Sequence, residues 1–550
     1  MLQSAVKPTS LRDDVAAVTR RIDALAIAVL VLVGAIAAAT FRDYGLGWDD
    51  YTQSQYGRLL VSLYSSGFAD KRALSFVNLY MYGGGFDIAA TLAAKILPFG
   101  LFETRRLVGA AIGLIGLFLT WRLTRRLGGP LAGLIGLILL AACPLYYGHM
   151  FINCKDAPFA TATMIALLGI VRAFEEYPRA SPATIALCGV GIGLAIGTRV
   201  LGGFALLDAL LPLFLILAVR ARERGLRPAA GEYGLFLVPF VPGAILAVAV
   251  MGLVWPWSLV APLNLFRALA YFSHDFETPW RELFDGKLIP IIDMPRSYVP
   301  VLVALKLPEL MLALGLAGLV GAIAASAGRG GAGVGRRAGL LAVVFAATLP
   351  VLLTIIARPF IYNGIRHLLF IMPPFAALGG LAGAWLARRL ERHGRIATAA
   401  GALALFAGIG SPVVDMVRLH PYEYTHFNHI VGGVQGARPL FMLDYWGLSL
   451  TQASRRLLAF LAQRQEAPPG GGWKVAVCGP HPPVSVALGP KFALTWDPKG
   501  ADFAMQLGEF YCAKLDAPLL FQIVRDGVVY ARVYDIRGLS ISTLLTVPGI

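Results

Sequence analysis

The sequence predicts a polytopic α-helical membrane protein with a small α/β or α+β domain at its C-terminal end. Three observations predict it. Of 550 residues, 57% are hydrophobic and only 15% charged, with a mean hydropathy of +0.68, whereas a soluble chain carries about 25% charged residues. The apolar residues gather in stretches close to the ~20 residues that a bilayer-spanning helix needs. Beyond the last of these, residues 413–550 read as a domain of ordinary polarity. A soluble enzyme, a coiled coil and a disordered chain are excluded. The net charge of +16 would suggest nucleic acid in a soluble chain; in an apolar one it arises from Arg-rich cytoplasmic loops. No nucleic-acid partner is implied.

The polar segment Met1–Asp23 leads into an apolar run, Ala24–Thr40, that is followed by charge and aromatics rather than by small residues. It reads as a signal anchor, not a removable leader. About eleven spans follow from the hydropathy: near 22–40, 105–122, 130–148, 157–174, 182–198, 200–219, 233–255, 300–325, 338–357, 365–386 and 395–412. The apolar stretch Gly85–Gly100 is short and carries Asp87 and Lys95, as a helix lying in the interface would. Basic residues mark alternate connections: Arg122 to Arg126, Arg172 with Arg179, Arg220 to Arg227, Arg329 to Arg337, and Arg388 to Arg395. All share a side with Arg12, Arg20 and Arg21 if the N-terminus is cytoplasmic, which puts the C-terminus outside.

Stretches 41–104, 255–299 and 413–550 then face the exterior. The first two, within a transmembrane domain of residues 1–412, place Trp48, Trp255, Trp257 and Trp280 at headgroup depth. In the third, Gly472–Val477 reads as a strand and Phe521–Tyr534 as a hairpin turned at Asp526-Gly527. Of five cysteines, Cys143, Cys154 and Cys188 sit in or beside spans as small apolar side chains. Cys478 and Cys512 lie in the exported domain, where an oxidising compartment permits a disulfide.

Ionisable residues at exterior span ends are the candidates for chemistry, because a charge near the bilayer costs several kcal/mol (about 3 or more) unless it is used or paired. After the first span, Gly45-Leu46-Gly47-Trp48-Asp49-Asp50-Tyr51 puts two carboxylates at the mouth of the bundle. Such a pair can activate a hydroxyl or hold a divalent metal; equally, either acid can cap a helix Thr52–Ser65. After the third span, Asn153-Cys154-Lys155-Asp156-Ala157-Pro158 holds three polar groups in a short loop. A capped turn, or a self-neutralising Lys155–Asp156 pair, is the plainer alternative. Arg199, in the turn between spans five and six, is an exterior cation or simple structural glue. Arg358 to His367 opens the tenth span with Tyr362, Asn363, Arg366 and His367. Paired acids with several cations at headgroup level suit a phosphate-bearing lipid and a proton to be removed. His420, Glu423, His426 and His429 recur every three residues; on a helix they would form a metal site, but the aromatics between them read as an interfacial anchor. Asp208 and Lys306 are charges inside apolar runs.

Trp48-Asp49-Asp50, Asn153 to Pro158 and Asn363-Gly364-Ile365-Arg366-His367-Leu368-Leu369-Phe370, in this order and topology, resemble the GT-C glycosyltransferases. The bacterial branch related to protein O-mannosyltransferases and lipid A aminoarabinose transferases is the most similar. His420 to Tyr424 and Asp444-Tyr445-Trp446-Gly447 also look like that branch. The resemblance spans residues 20–450; the last hundred or so carry no motif of the family. The family shows Asp-Glu in its first exterior loop, so Asp49 matches the catalytic base and Asp50 replaces the Glu; Cys154 replaces a usual Pro.

The resemblance implies a donor sugar on polyprenyl phosphate and transfer, with inversion, at the exterior face of a bacterial plasma membrane. The acceptor hydroxyl would belong to a lipid, glycan or protein. Asp49, Asp50 and Asp156 are the candidate catalytic acids. Lys155, Arg199, Tyr362, Asn363, Arg366 and His367 are the candidate substrate-binding residues. No cofactor beyond a divalent metal is suggested. The loop Gly330–Gly335 lacks the Lys-Ser/Thr of a phosphate-binding loop, which favours a lipid-linked donor over a nucleotide sugar. The rival reading is a transporter or flippase, but transporters place ionisable groups at the midplane on broken helices in repeated halves.

Overall fold

The structure, a computed structural model, describes residues 8–275, 280–328 and 333–547. Residues 329–332, half of the Gly330–Gly335 loop among them, lie outside the described residues, as does the segment Met1–Lys7. Among the described residues nine helices are long and apolar enough to cross a membrane: Asp13–Thr40, Leu101–Gly128, Asp156–Glu175, Val200–Arg224, Leu226–Val254, Glu309–Ala327, Val334–Ala357, Arg366–Glu391 and Arg395–Leu419. Pro130–Ala141 and Pro144–Ile152, bent by 64°, make a tenth, and Pro182–Thr198 is a shorter apolar helix. The protein is therefore a multi-span membrane protein.

Two expected spans are interrupted, both at proline. Cys143 adopts an extended backbone before Pro144, since proline cannot donate to the preceding turn and crowds the residue before it. Leu307 is extended before Pro308 for the same reason, so the stretch near 300–325 divides into Tyr298–Lys306 and Glu309–Ala327. Helices Asp156–Glu175 and Arg366–Glu391 lie in the middle of the bundle, 72% and 89% of their apolar windows being buried against 6% for Arg395–Leu419. Small residues permit this closeness: a Cβ at Gly318 would stand 2.0 Å from the carbonyl oxygen of Leu378, and one at Gly380 2.5 Å from that of Ala132.

The Arg-rich span ends meet at one end of the bundle. Arg125 pairs with Asp23 at 2.7 Å, Arg126 with Glu175, and Arg336 donates to the carbonyl of Leu127 at 2.8 Å. The motif-bearing ends meet at the other. Between spans on that side, a hairpin of strands β1 (Arg281–Phe284) and β2 (Lys287–Pro290) lies beside the opening of helix Arg366–Glu391.

The C-terminal domain is one five-stranded sheet. Its strands are β3 (Trp473–Cys478), β4 (Phe492–Thr495), β5 (Phe503–Leu507), β6 (Leu519–Arg525) and β7 (Val528–Asp535), in the order β4-β3-β5-β7-β6. β3 runs parallel to both β4 and β5; β7 is antiparallel to β5 and β6. The expected strand and hairpin are β3 and β6–β7, and the hairpin turns through Asp526 (φ 43°) and Gly527 (φ 73°), both in the left-handed region that a two-residue turn needs. Cys478 and Cys512 form a disulfide. The sheet packs against helix Ser449–Gln463, whose first backbone N–H groups are held by Asp444 (Leu448 N–H at 2.9 Å, Ser449 N–H at 3.0 Å). Asp444 in turn accepts from the Tyr424 hydroxyl, which ties the sheet domain to the segment leaving the last span.

Candidate active site

The first carboxylate pair divides at the start of helix Asp50–Ser65. Asp49 stands at the N-cap but makes no capping bond with its side chain, so the plain helix-cap reading does not hold. Asp50 turns into the protein. It accepts from Gly47 N–H at 2.8 Å and takes Arg106 in a two-pronged grip at 2.9 and 2.6 Å, while Arg106 also donates to Gly45 C=O at 2.6 Å. Burial alone would raise the pKa of Asp50, but the Arg106 guanidinium outweighs it and holds the carboxyl below its ordinary value. A second buried pair, Asp87 with Arg105 at 2.8 Å, braces the short helix Gly85–Ala93 against the second span.

Asn153 shapes the loop after the bent helix. Its side-chain oxygen accepts the N–H groups of Lys155 (3.1 Å) and Asp156 (2.7 Å), and its amide donates to Asp156 at 2.8 Å, the side-chain-to-backbone bonding that makes Asn a turn residue. Asp156 thereby begins its helix inside the protein, 1% exposed. There it pairs with Arg199 at 2.5 Å and more loosely with Arg366 at 3.5 Å. Lys155 points the other way: its ammonium lies 4.2 Å from the centroid of Tyr82. In the amide orientation that satisfies both neighbours, Gln53 accepts from Lys155 at 2.6 Å and donates to Asp87 at 2.9 Å. Lys155 therefore holds neither Asp156 nor Asp49.

Helix Arg366–Glu391 is preceded by a left-handed turn at Asn363 (φ 58°) and Gly364 (φ 69°). Glu282, from β1, secures it, accepting from Asn363 N–H at 2.7 Å, Gly364 N–H at 3.2 Å and the Tyr298 hydroxyl at 2.5 Å. Burial pushes the Glu282 carboxyl up, against those hydrogen bonds. The turn sets the Arg366 guanidinium 5.2 Å from the Tyr362 ring and 5.4 Å from Trp446, and His367 meets Tyr362 edge-on at 5.1 Å.

These elements enclose a cavity of about 370 Å³. It gathers Asp49, Lys155, Arg199, Tyr362, Asn363, Arg366 and His367, residues from four separate parts of the chain. Two expectations are corrected. Asp50 and Asp156 do not line the cavity: each is buried behind its wall with its oxygens engaged by guanidinium groups, so neither is placed to take a proton from a ligand. Arg199 pairs with Asp156 and also lines the cavity. Sequence reasoning missed Gln53, Tyr82, Glu282, Trp496 and Tyr511, all lining residues. None of them carried a local signal: Glu282, for one, stands in a mixed stretch between Arg281 and Leu283.

The His420–His429 series runs through two short 3-10 turns, Glu423–Thr425 and His429–Val431, rather than along one helix, so it divides into two pairs. His420 bonds Glu423 at 2.8 Å and Asp43 at 3.0 Å, while His426 and His429 approach Asp415. Among the described residues no group of three or more His, Cys, Asp or Glu side chains is arranged to hold a metal ion.

Comparison with known proteins bears on the fold. The family model for dolichyl-phosphate-mannose-protein mannosyltransferase matches residues 86–255. Among solved structures, apo ArnT from Cupriavidus metallidurans is similar with a TM-score of 0.51 and 14% identity, over 93% of this chain and 97% of that one. The oligosaccharyltransferase of Archaeoglobus fulgidus, in its apo form, is similar with a TM-score of 0.50 and 15% identity, over 87% of this chain and 65% of that one. ArnT has also been solved bound to undecaprenyl phosphate, at a TM-score of 0.49 and 15% identity to this chain. The search of curated proteins returned no match. The likeness is one of fold, shared with ArnT and the archaeal oligosaccharyltransferase.

Proposed function

We propose that this GT-C chain is an integral membrane glycosyltransferase that moves a sugar from a polyprenyl-phosphate-linked donor to an acceptor hydroxyl at the exterior membrane face, inverting the anomeric centre. One observation carries the reading: Asp49, a carboxylate without a hydrogen bond among the described residues, shares a cavity with Lys155, Arg199 and Arg366, at the bundle end opposite the Arg-rich loops. A base and a cluster of cations facing one cavity are what phosphate departure from a sugar requires. The location of the Arg-rich ends supports a cytoplasmic N-terminus.

In this reading Asp49 accepts the proton of the acceptor hydroxyl as its oxygen bonds to the anomeric carbon. The bond from that carbon to the phosphate oxygen breaks, and polyprenyl phosphate leaves with the electron pair. Lys155, Arg199 and Arg366 stabilise the charge that grows on it. A single displacement with one base inverts configuration, unlike the two-step route of retaining enzymes. Asp156 is a positioning residue that orients Arg199 and Arg366 from behind. Glu282 is another, holding the turn that delivers Tyr362 and Arg366. Glu282 is occupied by two backbone N–H groups and a hydroxyl, and among the described residues no three His, Cys, Asp or Glu side chains are grouped to hold a divalent ion; no step is routed through one.

ArnT, solved with undecaprenyl phosphate, suggests the probe. Arg366→Lys keeps the charge and removes the planar fork that grips two phosphate oxygens. Undecaprenyl phosphate binding to the purified variant should weaken about tenfold or more, with thermal stability close to that of the wild type. Reduced stability with unchanged affinity would place the phosphate site elsewhere.

A further inference from the structure

We infer that the carboxyl edge of the C-terminal sheet is the acceptor wall of the cavity, and that Trp496 is the platform on which a sugar ring of a carbohydrate acceptor stacks. This rests on the glycosyltransferase reading above. Strands β4, β3 and β5 are parallel neighbours, so their carboxyl ends point one way. The residues just past those ends line the cavity: Gly479 after β3, Trp496 after β4 and Tyr511 after β5. Parallel strands collect ligands at that edge, where the outgoing connections part and leave a crevice. The disulfide Cys478–Cys512 joins the end of β3 to the segment carrying Tyr511, so two of the three connections are covalently held together.

The cavity is asymmetric in charge. Lys155, Arg199 and Arg366 all come from the helical bundle, whereas Gly479, Trp496, Tyr511 and Leu545, the contribution of the C-terminal sheet domain, are uncharged. A leaving phosphate belongs on the cationic side. The uncharged wall formed by the sheet domain is then the one left for a neutral acceptor.

Trp496 has the features of a prepared surface. It is 51% exposed, whereas Trp473 in the same domain is 5% exposed. One face is covered by His481, stacked at 3.9 Å with 19° between the planes. His481 is anchored by its Nε2, 3.2 Å from the Val477 carbonyl. The indole is thus braced from behind, and its second face has no ring partner among the described residues. Trp280, 44% exposed and edge-on to Tyr362 at 5.4 Å, lines the same cavity from the hairpin side. The C–H face of a pyranose ring is apolar and weakly positive, which matches the negative face of an indole. The absence of charge on this wall favours a neutral sugar ring over a charged group.

The test uses full-length protein in nanodiscs, with Trp496→Ala and Trp496→Phe. Methyl glycosides of glucose, mannose, galactose and N-acetylglucosamine are the acceptor-side probes, read by saturation-transfer NMR; a Ser/Thr-containing peptide is the competitor class. Undecaprenyl phosphate is titrated separately. At least one glycoside should bind the wild type, about tenfold more weakly to Trp496→Ala, with partial recovery in Trp496→Phe. Undecaprenyl phosphate affinity should stay within about twofold in both variants. Equal glycoside binding by wild type and Trp496→Ala would overturn the inference, as would binding of the peptide but of no glycoside. A parallel loss of undecaprenyl phosphate binding would move Trp496 to the donor side and overturn it too. Failure of the wild type to bind undecaprenyl phosphate is a different result: it removes the glycosyltransferase reading itself.

Discussion

Replacing Asp49 and Asp50 one at a time by Asn should give opposite phenotypes from adjacent positions. Asp49 is partly exposed and makes no cap bond, so Asp49→Asn removes no packing and no buried partner. Its folding stability should change by no more than about 0.5 kcal/mol. The loss falls on turnover: a missing general base costs about 10²–10⁴-fold in rate, or roughly 3–5 kcal/mol of barrier. Asp50 is 3% exposed and accepts three hydrogen bonds, two of them from Arg106, which is itself 3% exposed. Asn offers one oxygen and turns an amide toward a guanidinium, leaving Arg106 a buried charge without its counter-ion. Breaking such a pair from one side costs about 3–5 kcal/mol. The assay pairs apparent melting temperature in detergent with release of labelled sugar from a polyprenyl-phosphate donor, per folded molecule. Near-native turnover by Asp49→Asn would refute its role as base. An Asp50→Asn protein as stable as the wild type, yet inactive, would refute the division of labour between the two acids.

Three further predictions concern stability and topology. Burial, with the Asp444 charge beside it, pushes the Glu509 carboxyl up to about 7, above its ordinary value of 4.5, so the folded state holds that proton more tightly than the unfolded one. Ionised Glu509 therefore costs stability above about pH 7, and the cost fades as the pH falls toward 4.5. Glu509→Gln should raise stability at pH 8 by up to about 3 kcal/mol and leave it nearly unchanged at pH 5; the same gain at both pH values would refute it. Cys478→Ser should destabilise the C-terminal domain by about 4 kcal/mol, the chain entropy released by opening a loop of 34 residues, as measured by thermal unfolding with and without reductant. Reporter fusions at Ala180 and Arg395 should report the cytoplasm, and one after Gly500 the exterior; a cytoplasmic signal at Gly500 would reverse the orientation.

Hydropathy and local turn chemistry determined much of this protein without tertiary information. The spans are legible because a bilayer-crossing helix records its own environment in about 20 consecutive side chains. The β6–β7 hairpin is legible because Asp526-Gly527 suits a left-handed turn whatever surrounds it. Motif order singled out Asp49, Lys155 and Arg366 for the same economical reason: their neighbours in sequence mark them. The direction in which a side chain points is another matter. Asp49 and Asp50 are indistinguishable as sequence, and only the packing of Arg106, from a helix 56 residues away, commits one to structure and leaves the other open to the cavity. Asp156 reads as a catalytic acid until Arg199 and Arg366 converge on it from two other parts of the chain. Glu282 and Trp496 carry no local signal, because their meaning arises from a turn and a sheet edge assembled by distant segments. Even the Pro144 and Pro308 breaks, foreseeable as proline effects, acquire their consequence only in three dimensions. Composition reports how much of a segment is buried; convergence of distant residues on one cavity is decided by the fold, since no local stretch of chain encodes which partners will neutralise a charge.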